Sequence, residues 1–132
     1  MTTADITATR HPKKTRKVPP LIAERLTADR RAARDAHNAG NDAEAWRLLE
    51  QTHILSQPWA WPHIRSHIDM LHLAIHTRDR REIAGQLFRI LVAGPGSATG
   101  RYPLGNTGRA DVSATLPMNV PEELANLLTA SG

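Results

Sequence analysis

Apolar residues return at three- and four-residue intervals through four successive stretches of the chain, with Gly, Asn, Asp or Pro between them. This is the pattern of amphipathic helices separated by tight turns. The first stretch runs from Leu21 to Ala39, after Pro20 and before Gly40, with an interruption expected near Thr27. The second, capped by Asp42, reaches about Leu55 and turns Ala45, Leu48, Leu49 and Thr52 inward. Pro58 and Pro62 bracket Trp59 in a stiff connection, and a third helix is expected from about Pro62 to Thr77. Asp79 can cap a fourth that ends at Leu91 or Val92, with Ile83, Leu87, Phe88, Ile90 and Leu91 as its expected buried positions.

From Gly94 to Met118 the pattern dissolves, as five glycines stand among Ser, Thr, Asn and Pro. That composition predicts an irregular segment, with at most a brief strand around Val112 to Leu116. Pro121 then opens a short last helix, Glu122 to Leu128. The predicted fold is all-α: two antiparallel helical hairpins, closed by a glycine-rich wrap and a short C-terminal helix.

Length and charge refine this picture. At 132 residues the chain has room for one core, so residues 21–132 are read as a single helical domain. The formal charge of +4 belongs to the N-terminus, where Arg10, Lys13, Lys14, Arg16 and Lys17 face only Asp5, leaving the rest balanced. Residues 1–20 therefore read as a disordered basic tail, and nucleic-acid binding is not expected from an arm without aromatic residues to stack on bases. No apolar run has the length of a membrane span or of a signal-peptide core, which places the chain in the cytoplasm with no membrane partner.

Cysteine is absent, so histidine and carboxylate are the available strong metal ligands. Five histidines fall between His53 and His76. At about 100° per residue, His63 and His67 share one face of the third helix, while His72 and His76 lie on the opposite side. If the second and third helices form an antiparallel hairpin, His53 comes level with His63, and Glu50 lies one turn deeper. The expected site is thus mononuclear, with His63, His67, His53 and Glu50 holding one divalent transition metal, zinc, copper or iron. A core role for the same histidines, hydrogen-bonded to loop carbonyls, is the plainer alternative.

The glycine-rich segment offers Arg101, Tyr102, Asn106 and Arg109 as ligand-binding groups, should it fold over a pocket. It matches neither of the common nucleotide-binding glycine motifs. Two further functions stay open at this point. One is a non-catalytic protein-interaction adaptor, with Trp59 and Trp61 as exposed anchors. The other is a small enzyme with a histidine general base and Arg101 or Arg109 holding an anionic substrate.

Gly40, Ala45, Leu49 and Pro58 loosely resemble the second half of a tetratricopeptide unit. Taken together, His53-Ile-Leu, His63, His67, Met70-Leu71, Arg80-Arg-Glu-Ile, Gly85-Gln86, Gly96-Ser97, Gly105-Asn-Thr-Gly108 and Pro117-Met118 resemble a family of short bacterial proteins known only as a domain of unknown function. The resemblance covers roughly Ala32 to Leu128 and implies a single domain. It brings no activity, cofactor or catalytic residue with it.

Overall fold

The computed structural model describes residues 17–131, and the basic tail expected over 1–20 falls, as far as residue 16, outside them. Five helices follow one another: α1 (Pro20–Asn38), α2 (Asp42–Ser56), α3 (Ala60–His76), α4 (Arg80–Ala98) and α5 (Glu122–Ala130). The most extensive contacts join α3 to α4 and α1 to α2, and α2 packs on α3 between the two pairs. This is the expected all-α arrangement of two hairpins, with no strand among the described residues.

Local chemistry sets each turn. Gly40 takes the left-handed conformation (φ +79°) that ends α1, and Asn41 then accepts a hydrogen bond from the Glu44 N–H to cap α2. The cap is thus Asn41 rather than Asp42, which forms the first helical residue. Helix α1 runs without interruption through Thr27, where one β-branched residue costs too little to break a helix carried by buried Ile22, Leu26 and Ala33. Asp79 caps α4 through the Glu82 N–H, as expected.

The core has two parts. Ile22, Leu26, Ile54, Leu55, Trp59 and Leu124 join α1, α2 and α5 in one cluster, while Ala33, Ala45, Leu48, Leu49, Met70 and Leu73 join α1, α2 and α3 in the other. Trp59 is therefore a core residue, whereas Trp61 is 63% exposed. The proposed pair of exposed tryptophan anchors does not exist as a pair.

Helix α4 departs from expectation twice. It continues six residues past Val92, through Gly94-Pro95-Gly96, to Ala98. Proline forfeits the bond to the carbonyl four residues back and crowds it. Here that carbonyl belongs to Leu91, which with Pro95 lies on the solvent side, where water can satisfy it. The helix is also turned over: Leu87, Phe88 and Leu91 are exposed, Ile83 and Ile90 are half-buried, and the buried stripe is Glu82, Gln86, Arg89, Ala93 and Ser97. A polar face turned inward needs polar partners. They are supplied by α3 and by the segment between α4 and α5.

That segment has no regular structure but is anchored throughout. The fully buried Gln57 donates its amide to the Pro103 carbonyl and accepts from the Gly105 N–H. Asn106 donates to the carbonyls of Ser113 and Leu116. These bonds close tight turns over Val112 to Leu116, where the sequence allows at most a brief strand, so those carbonyls are taken up locally rather than by a ladder.

Candidate metal centre

Only three residues separate α2 from α3, so the C-terminal end of α2 and the N-terminal half of α3 lie side by side. His53 projects from the first, and His63 and His67, one turn apart, from the second. Their Nε2 atoms form a triangle with sides of 3.0 Å (His53 to His63), 3.1 Å (His53 to His67) and 3.3 Å (His63 to His67). Each residue is at most 4% exposed. Nitrogens bound tetrahedrally at ~2.0–2.1 Å from a metal ion stand about 3.3–3.4 Å apart, so the triangle is within a few tenths of an ångström of a ligand set.

The other ring nitrogens settle which protons are present. His53 Nδ1 lies 2.7 Å from the Asn106 carbonyl, which can only accept. His63 Nδ1 lies 2.7 Å from Ser97 Oγ, whose single hydrogen is already donated to the Gln57 carbonyl at 2.6 Å. His67 Nδ1 lies 2.7 Å from Gln86 Oε1, and the Gln86 amide nitrogen donates to Glu82 and to the Gly108 carbonyl. Reversing that amide would set its oxygen against a carboxylate and a carbonyl. In all three neutral rings the proton is therefore on Nδ1, and three Nε2 lone pairs face one another. Contacts near 3 Å between acceptors are repulsive unless a cation lies among them.

Protonation is a poor way to supply that cation. Burial, reinforced by the charge of the neighbouring histidines, lowers His53 well below the ordinary imidazole value. Burial holds His63 at about 3, partly offset by the Ala93 carbonyl, and His67 at about 4, partly offset by Gln86. Near neutral pH the three rings are uncharged, the form in which imidazole binds metals.

Of the four residues expected as ligands, His53, His63 and His67 converge and Glu50 does not join them. The Glu50 carboxylate pairs with Arg109 at 3.3 Å, and residues three apart on a helix diverge by about 60°. Arg109 also donates to Glu82 at 2.6 Å and stacks over the Trp46 ring at 3.8 Å, which ties the wrap to α2 and α4. Asn106 is buried and acts through its backbone carbonyl on His53. Gly108 lies so close to the His53 ring that a Cβ there would stand 2.7 Å from Cδ2.

The sequence does not single out Gln86, Ser97 and Arg89, because the apolar side of α4 reads as its inner side. Their spacing with Glu82 and Ala93 did carry the signal, a polar stripe recurring every three or four residues. A cavity of about 470 Å³ opens on the three histidines, and Arg89, Arg101, Tyr102 and Thr115 stand in its wall.

Comparison with protein families matches residues 21–128 to a model described as a protein of unknown function, DUF3703. No curated protein and no solved structure matches the chain.

Proposed function

The chain belongs to the DUF3703 family of proteins of unknown function, and we propose that it binds one divalent transition-metal ion through the Nε2 atoms of His53, His63 and His67. The observation that carries this reading is the proton count: three buried imidazoles, each donating from Nδ1 to a fixed acceptor, direct three lone pairs at one point. A core role would call for hydrogen-bond partners on both ring nitrogens. A ligand role calls for one fixed donor and one bare lone pair, with the outer partner orienting the ring.

Three neutral imidazoles suit zinc, copper and iron. Three protein ligands beside a cavity form the open type of site, in which the fourth position takes water or substrate. Metal-depleted protein titrated with each ion should take up one equivalent. The His63→Ala/His67→Ala double variant should lose that binding, and equal, weak uptake by both proteins would remove the proposal.

A further inference from the structure

The cavity over the three histidines has a one-sided charge. Arg89 and Arg101 stand in its wall and, among the described residues, no aspartate or glutamate does. Arg89 is 7% exposed and donates to two backbone carbonyls, Gly85 at 3.2 Å and Val112 at 2.6 Å, leaving three of its five N–H groups for other partners. No carboxylate lies within ion-pair distance of it among the described residues. Glu82 and Asp111 act on it only from further away, and burial works against its charge. Glu82 is itself engaged by Arg109, Gln86 and the Ala110 N–H.

A divalent ion on three neutral ligands would add two positive charges beside this guanidinium, whose field already reaches His53 and His67. An anion that enters with the ion or after it would offset that charge. The volume, about 470 Å³, exceeds what a hydroxide needs and suits a small organic molecule.

We infer that the fourth position of the metal site is an oxyanion site, which takes a carboxylate or phosphate group bridging the ion and Arg89, with Arg101 at the cavity mouth. This rests on the metal reading above. Arg89 supplies planar paired donors for two oxygens, and Arg101, on the exposed side, draws the anion in.

The test uses the full chain loaded with cobalt(II), whose visible spectrum reports the coordination sphere. Acetate and inorganic phosphate, added separately, tell the two kinds of oxyanion apart, and acetamide serves as the neutral counterpart of acetate. Saturable spectral change is expected with at least one anion and not with acetamide. Arg89→Met should weaken anion binding at least tenfold with cobalt stoichiometry kept, Arg89→Lys should recover part of it, and Arg101→Ala should weaken it about threefold. Should Arg89→Met fail to fold, the acetate and acetamide comparison and Arg101→Ala decide alone. An intact cobalt spectrum that ignores both anions, or responds equally to acetamide, overturns the oxyanion site and leaves the metal site standing. Failure to take up any of cobalt, zinc, copper and iron overturns both.

Discussion

His67 donates from Nδ1 to Gln86 Oε1 at 2.7 Å, and Gln86 is held against reversal by Glu82 and the Gly108 carbonyl. One glutamine on α4 thus decides which nitrogen of a histidine on α3 is bare. Gln86→Met keeps the volume and removes the acceptor. We expect the zinc dissociation constant to rise about 10- to 100-fold, the usual loss when an outer partner of a metal ligand is removed. Competition with a chromophoric chelator measures it, and an unchanged constant would separate Gln86 from the site.

Binding that favours the folded state raises thermal stability. With free zinc at about a thousand times its dissociation constant the gain is about 4 kcal/mol, a rise in Tm on the order of 10 °C for a domain of this size. The rise should vanish in His53→Ala, His63→Ala and His67→Ala alike. A scanning calorimeter reads both, and persistence of the shift in all three variants would place the ion elsewhere.

The pH dependence of the metal-free protein has a definite sign. Unfolded imidazoles titrate near 6.5, whereas His63 and His67 in the folded chain titrate at about 3 and about 4, and His53 also lies well below the ordinary value. Between these limits the unfolded chain binds more protons. Stability is therefore complete above about pH 6.5 and falls as the pH drops toward 4, at up to about 1.4 kcal/mol per pH unit for each histidine. Urea midpoints at pH 7 and pH 5 should differ, and His67→Gln should reduce the difference.

Gly108 has φ +82° and backs onto the His53 ring, where a Cβ would meet Cδ2 at 2.7 Å. Gly108→Ala should cost the left-handed penalty of about 1–2 kcal/mol and, beyond it, displace the His53 ring and so weaken the proposed metal binding. Gly40→Ala is the control, with φ +79° and nothing near its Cβ. It should cost the backbone penalty and leave metal affinity alone. Equal metal affinity in the two variants would contradict the contact.

Glu50→Gln separates the proposed three-histidine ligand set from the four-residue set that the spacing predicts. Because Glu50 pairs with Arg109 and stands apart from the histidines, the variant should bind zinc within about threefold of the parent, far less than the change expected on losing a ligand.

The hairpins and the histidine face were legible in the chain because each is a consequence of local spacing. His63 and His67 must share a face if α3 is a helix, and a three-residue connection must return His53 to their side. Glu50 misled because the competing partner, Arg109, comes from 59 residues away, and no local rule carries that information. The orientation of α4 misled for a related reason. Its apolar residues outnumber the polar ones, so the ordinary rule buries Leu87 and Phe88. The inner surface it meets is an array of imidazoles and backbone carbonyls, which selects Gln86, Arg89 and Ser97. The glycines from Gly94 on predict an irregular segment, yet α4 continues through Pro95, whose cost depends on whether the Leu91 carbonyl faces water, which is a tertiary fact.

The wrap between α4 and α5 has no ladder or helix of its own, and the carbonyls that hold it in place, Asn106 on His53 and Gly108 on Gln86, are the same ones that orient His53 and, through Gln86, His67. If the site holds an ion as proposed, its loading and the seating of that segment are linked, so each favours the other by the same free energy. On that reading, displacing the segment should weaken metal binding. Conversely, bound metal should protect the segment from proteolysis.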